Sequence, residues 1–293
     1  MMWEGEVKMK KIIFEIETIT PMFLAGANQG TAELRAASIK GLLRFWWRAL
    51  QAEPDLQRLC ERESEIFGCS NEKIGGAKFS LRVIANHPKN DKFSPVPHST
   101  TKKFKFTGIV PKQKFEIILN SRNEIDKFAN ILEIALLLGG LGRRSRRGFG
   151  SVHCSQWRFN NAQELQHFIL KTIGEIVQSN NAFISINGKI SRSSKLNTSY
   201  PYIKEISFGR KETEINSLLK KIGQASHDHC NPALGFAGRY NNNTIRMASP
   251  VYVHIAKVEN GFVPVITILN SAFPVSYPNK NLAKQTDFIH SII

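Results

Sequence analysis

Long apolar runs are missing from this chain. None of its 293 residues lies in a stretch that approaches a bilayer span. The opening residues, through Glu15, mix charged and apolar groups and hold no signal-peptide core. Cysteine is scarce: Cys60, Cys69, Cys154 and Cys230 stand singly, as reduced thiols of a cytosolic protein do, rather than as a disulfide framework. Acidic residues are outnumbered, 24 against 40 Lys and Arg, for a net charge of +16 and a pI near 9.8. Such an excess selects an anionic partner, nucleic acid or an anionic membrane surface. A catalytic constellation is also lacking. The histidines at 87, 98, 153, 167, 227, 229, 254 and 290 are dispersed, with His98 the best lone acid–base candidate. The ligands of His227-Asp-His-Cys230 sit too close in sequence to hold one ion without a second cluster. No cofactor, metal or enzymatic activity is expected.

What is present is a folding chain. A hydrophobic content of 42 % over this length suggests two domains with a substantial core. Period-two alternation predicts strands over Lys10–Thr20, Lys78–Ala85, Lys114–Asn120 and Ser151–Phe159. Helical periodicity predicts Ile39–Gln51 with Ser38 as N-cap, Pro54–Phe67, and Ser121–Leu138 with one buried stripe. Glu61, Glu63 and Glu65 on the short second helix read as a solvated face. The polar, basic stretch 86–105 reads as a long, mobile excursion. With the short helix set aside, the order strand, helix, strand, strand, helix, strand is the split βαβ or ferredoxin-like arrangement, shared by RNA-recognition modules. The domain boundary falls at about residue 159, giving units 1–159 and 160–293. In the second, a helix over Ala162–Val177, strands at Asn181–Ile186 and Ile203–Phe208, a helix over Glu212–Ile222, a hairpin of Val251–Val258 and Phe262–Leu269, and a helix over Asn281–Ile292 make another α+β unit with an antiparallel sheet. Gly188–Tyr200 reads as a basic loop, and Gly235–Arg246 as a Gly- and Asn-rich stretch carrying Arg239 and Arg246.

Two stretches carry the charge in an organised way. Gly140-Leu-Gly-Arg-Arg-Ser-Arg-Arg-Gly-Phe-Gly150 encloses Arg143, Arg144, Arg146 and Arg147 between two glycine pairs. Glycine permits sharp bends and close approach, and arginine supplies fork-shaped donors suited to phosphate, so the segment reads as a flexible anion grip. On the first helix, Lys40, Arg44 and Arg48 recur at i, i+4 and i+8, opposite an apolar face. Gly41 flanks that stripe, where a ligand or backbone that comes close would favour it. Trp46 reads as core. Trp47, at the border, reads equally as cover for the core edge or as a platform for a base. Arg35 precedes the helix N-terminus, whose free N–H groups suit a phosphate. If the loop folds back beside the helix, these residues form one basic surface, with the helix as primary site and the loop as its mobile flank.

The same residues carry a resemblance. Gly140-Leu-Gly followed by Gly148-Phe-Gly150 resembles the glycine-rich loop of the RAMP superfamily of CRISPR-associated proteins. Glu33 to Arg48, shortly after Ile19-Thr-Pro-Met-Phe-Leu24, is similar to the opening signature of the first-subunit family of the Cmr complex, the type III-B CRISPR effector; Arg246-Met-Ala-Ser-Pro250 resembles a further segment of that family. The resemblance implies two ferredoxin-like domains and a non-catalytic, RNA-binding, cytoplasmic subunit. Its implied partners are guide RNA, single-stranded target RNA and other Cmr subunits, with no membrane. It further implies a place at the end of the complex that carries the guide's 3′ region, and target cleavage by a different subunit. Some members of the superfamily process guide RNA with a histidine base, so an endoribonuclease stays open, as does an assembly subunit whose charge faces protein.

Overall fold

A computed structural model describes residues 8–28, 30–51, 53–198, 200–270, 273 and 277–293. Residues 1–7 of the opening stretch and Ser199 of the expected basic loop lie outside the described residues. In the first half, β1 (Lys10–Thr18) is followed by α1 (Ala36–Leu50), α2 (Leu56–Phe67), β2 (Phe79–Ile84), the short arm β3 (Asn90–Phe93) with β4 (Phe106–Ile109), then β5 (Lys114–Ser121), α3 (Ile125–Leu138) and β6 (Val152–Cys154). β1 turns Phe14 and Ile16 into the core and pairs antiparallel with β5 and β6, while β2 pairs with the far side of β5. The order β2-β5-β1-β6, with α1 and α3 as crossovers, is the ferredoxin-like sheet expected from the element order.

The second half contains α4 (Ala162–Val177), β7 (Phe183–Ile186), β8 (Lys189–Arg192), β9 (Ile203–Phe208), α5 (Ile215–Asp228), the arm β10 (Phe236–Tyr240) and β11 (Asn243–Met247), β12 (Val251–Val258), β13 (Gly261–Leu269) and α6 (Ala283–His290). Its antiparallel sheet runs β12-β13-β9-β8-β7. The sequence β9, α5, β12, β13 supplies three strands in ferredoxin-like order. The slot beside β9, where a fourth strand would stand, is filled by β8, which precedes the unit in the chain. Gly188–Tyr200 is therefore not all loop: its first residues turn and form β8.

The two sheets share their filling. α3 was expected to bury one stripe, yet ten of its residues are buried, Ile125 and Phe128 among them, because it lies against both sheets as well as α1 and α4. One apolar cluster runs from Phe14 and Phe115 of the first sheet through α3 and α4 to Ile203 and Val263 of the second, so the core does not part at residue 159. A second cluster lies on the other face of β12, where Val251, Val253 and Ile255 meet α5 and α6. Covered on both sides, β12 is buried at every position except Lys257. The stretch 86–105 also departs from the mobile excursion expected: β3 and β4 pair with each other, and Phe93 and Phe106 pack on the second cluster.

Candidate nucleic-acid interface

The basic face of α1 is not the open surface expected of it. The helix starts at Ala36 rather than Ile39; its N-cap is Arg35, extended, with no side-chain cap, and Ser38 lies inside the helix. Asp55 caps α2 by accepting from the N–H groups of Gln57 and Arg58, and α2 then lies along the Lys40–Arg44–Arg48 stripe. Glu63 is only 7 % exposed and pairs with Arg48 at 2.7 Å and Arg44 at 3.4 Å. Arg44 also donates to the carbonyls of Phe67 (3.1 Å) and Gly68 (2.5 Å) and lies over the Phe67 ring. A glutamate face read as solvated thus packs on the basic face read as the primary site, Glu63 offsets one of its positive charges, and Arg44 and Arg48 keep about a third of their side-chain surface exposed. Lys40 remains half-buried, its ammonium held below its ordinary pKa by burial and then by Arg44.

Trp47 needs a firmer correction. It is 2 % exposed, set edge-on to Phe67 with the Arg62 guanidinium over its ring, so no base can reach it. Trp46 is core, as read. Gly41 is exposed, with nothing within 4 Å of where a Cβ would stand, so the protein itself supplies no close approach there. Arg35 is exposed and only loosely paired with Glu33, at 3.9 Å.

The glycine–arginine segment is a built-in staple rather than a mobile flank. The Leu141 N–H donates to the Gly150 carbonyl and the Arg143 N–H to the Phe23 carbonyl; the Gly150 N–H donates to Pro21 and the Gly148 N–H to Val253. The segment therefore ties the start of the chain to β12, in the other half. Gly148 (φ +80°) fits because a Cβ there would press on Leu219, Ile222 and Ile255, and at Gly150 (φ +66°) a Cβ would overlap the Leu141 carbonyl. Thr20 and Ser151 close the knot, both donating to the Gly148 carbonyl.

The four arginines part company on this frame. Arg147 is 7 % exposed and points inward. It donates to the carbonyls of Arg146, Val251 and Leu234 and to the hydroxyls of Ser226 and Ser249, over the Phe288 ring. It is a structural residue, not an accessible phosphate contact. Burial, then Arg144 and Arg146, push its guanidinium down to about 9, still protonated at neutral pH. Arg146 lies over Tyr252 at 4.4 Å, and Tyr252 in turn stacks against Phe45 and Trp46, so the segment does lie beside α1, on its aromatic side. Arg144 and Arg146 are half-buried and Arg143 is exposed. The Nε atoms of Arg144 and Arg146 are buried without a hydrogen-bond partner. Among the described residues, Arg144, Arg146 and Arg147 have no carboxylate partner. Guanidinium groups gathered this closely repel one another, and a bound anion would relieve that repulsion.

These arginines line a cleft of about 430 Å³, walled on its far side by Asn231, Phe236 and Ser249 at the base of the β10–β11 arm. The Gly- and Asn-rich stretch is this arm, and it presents Arg239 and Arg246 to solvent. Sequence reading recorded both residues without giving them a role; two cations flanking the Asn241-Asn-Asn243 turn were the available signal. Near Arg144, His98 packs on Gly223 of α5 with its ring 5.6 Å from that of His227. Burial, then His227, Arg144 and Lys102, lower its pKa against the pull of Asp228. Among the described residues no three His, Cys, Asp or Glu side chains gather as a metal site. The open face of the first sheet is unlike the aromatic platform of an RNA-recognition module: Glu15 stands opposite Glu116, with Glu17 beside them.

The antiparallel ferredoxin-like sheet, whose last strand is entered through a glycine-rich staple, lies in the part of the chain that a family model of the RAMP superfamily matches, residues 15–153. More particularly, the chain is similar to the Cmr subunits Cmr1-2 and Cmr1-1 of Pyrococcus furiosus. Each is 29 % identical to it; the first alignment covers 51 % of this chain and 98 % of that protein, the second 67 % and 63 %. Its fold is similar to that of apo Cmr1 from Pyrococcus furiosus (TM-score 0.63, 19 % identity, 97 % of this chain and 96 % of that one). It is also similar to a chain of a type III-B Cmr-beta complex bound to cognate target RNA (TM-score 0.62, 12 % identity, 97 % and 99 %). Among the described residues no helix is long and apolar enough to cross a membrane.

Proposed function

We propose that this chain is a non-catalytic, RNA-binding subunit of a type III-B CRISPR effector, with units 1–159 and 160–293, working in the cytoplasm beside guide RNA, single-stranded target RNA and other Cmr subunits. The observation that carries the reading is the set of uncompensated guanidinium groups of Arg144 and Arg146 at the mouth of an open cleft. RNA backbone replaces the missing counter-charge there, with Arg143, Arg239 and Arg246 flanking the path. Arg35 and Lys40 stay as outlying contacts, and Arg44 and Arg48 contribute less because Glu63 offsets one of their two charges. Such contacts read charge and shape, which suits a complex whose sequence specificity comes from guide pairing. The names of the similar proteins support the same role: they are Cmr subunits, and one is seen in a complex with target RNA.

The test is the salt dependence of single-stranded RNA binding by the full chain. Arg144→Ala with Arg146→Ala removes two phosphate contacts, lowering the slope of log K against log salt by about 1.4. An unchanged slope overturns the assignment. A second reading, a metal-independent ribonuclease, has one observation in its favour, the His98–His227 pair beside Arg144. Discrete products from repeat RNA incubated with EDTA would carry it.

A further inference from the structure

Phe104 is 50 % exposed, the one aromatic among the exposed large apolar side chains of the described residues. It stands in Lys102-Lys-Phe-Lys105, whose lysines are all exposed. The half of Phe104 that stands in water contributes nothing to the fold. A ring surrounded by cations is the arrangement that receives a nucleobase while its phosphates are neutralised.

The ring is anchored to the arginine cleft. Two residues further on, β4 begins at Phe106, whose ring lies 5.9 Å from that of Phe104 and edge-on to Phe23. The Arg143 guanidinium lies over Phe106 at 5.8 Å. Arg143 lines the arginine cleft and also a smaller one of about 160 Å³, whose other wall is Lys105 and Phe106. One basic path therefore leads from Arg144 and Arg146, past Arg143, to Phe104.

We propose that Phe104 is a stacking platform for an unpaired base of RNA whose backbone occupies the arginine cleft, so that this end of the path takes single-stranded rather than duplex RNA. The proposal rests on the RNA-binding reading above. A protein partner is the weaker occupant, because lysine is depleted in the cores of protein interfaces and three lysines surround this ring.

The experiment is fluorescence anisotropy on the full chain with labelled oligouridylate, and competition by inorganic polyphosphate as a base-free backbone. Phe104→Ala should weaken oligouridylate binding about tenfold and leave polyphosphate competition unchanged, and Phe104→Trp should retain or tighten binding. Wild-type affinity for oligouridylate in Phe104→Ala overturns the platform and assigns the exposed ring to a protein contact. An equal loss against polyphosphate also overturns it, since the residue would then act through charge or folding. If Phe104→Ala is silent while the Arg144 and Arg146 substitutions lower the salt slope, only this inference falls. If the wild type binds no oligouridylate, both readings fall.

Discussion

Replacing Arg147 by Met separates scaffold from binding site within a single run of arginines. The side chain is buried and makes five hydrogen bonds, to three carbonyls and two hydroxyls, without a carboxylate. Methionine keeps most of the volume and removes the cost of burying an unpaired cation, which offsets part of the loss. It also leaves the buried Leu234 carbonyl without its donor, at a cost of about 1–3 kcal/mol, and removes the other four hydrogen bonds, although the Val251 carbonyl keeps the Ser249 hydroxyl. The net destabilisation expected is about 3 kcal/mol, which for a chain of this size lowers Tm by roughly 5 °C. Thermal unfolding followed by circular dichroism reads this directly. RNA binding at a temperature where the variant stays folded should keep the wild-type salt slope, because no phosphate contact has been lost. A Tm within about 2 °C of the wild type refutes the staple role. A salt slope reduced as much as by the Arg144 and Arg146 substitutions refutes the division between inward and outward arginines.

Gly150→Ala should destabilise by about 3 kcal/mol or abolish soluble expression, since it combines a left-handed backbone with overlap on the Leu141 carbonyl; Gly188→Ala, also at positive φ but in open space, should cost only about 1 kcal/mol. His254 is fully buried, its Nδ1 donating to the Gly139 carbonyl, and burial lowers its pKa from 6.5 to about 4. The unfolded chain therefore binds the proton more firmly, so stability is complete above pH 6.5 and falls by about 3 kcal/mol as the pH drops to about 4. Urea unfolding across that range should show a smaller fall in His254→Gln than in the wild type.

Much of the fold is visible in the chain because local pattern and tertiary demand agree there. Helix α4 occupies the expected 162–177, where Asn161 supplies a real cap and Leu165, Ile169 and Ile173 keep a single buried stripe. Strands β9 and β12 also keep their expected limits. Reading fails where a second element supplies the meaning. Glu63 looks like one of three solvated glutamates until α2 is laid on α1. Arg147 is chemically indistinguishable from Arg146 in sequence, and only the left-handed turns at Arg144 and Gly148 decide which of them faces inward. Trp47 sits at the edge of an apolar face, and whether such an edge is covered depends on a helix that follows it. The arms β3–β4 and β10–β11 are polar and rich in turn residues, so their pairing leaves little trace in the alternation of apolar side chains.

The hydrogen bond from the Gly148 N–H to the Val253 carbonyl joins residues far apart in the order of synthesis. When the first sheet has all its strands on the emerging chain, the apolar pocket that must receive Gly148 does not yet exist, because Leu219, Ile222 and Ile255 are still to be made. The N-terminal half is therefore born unfinished: its arginine segment can settle only once β12 has left the ribosome, and the surface that would hold RNA is among the last parts of the molecule to take shape.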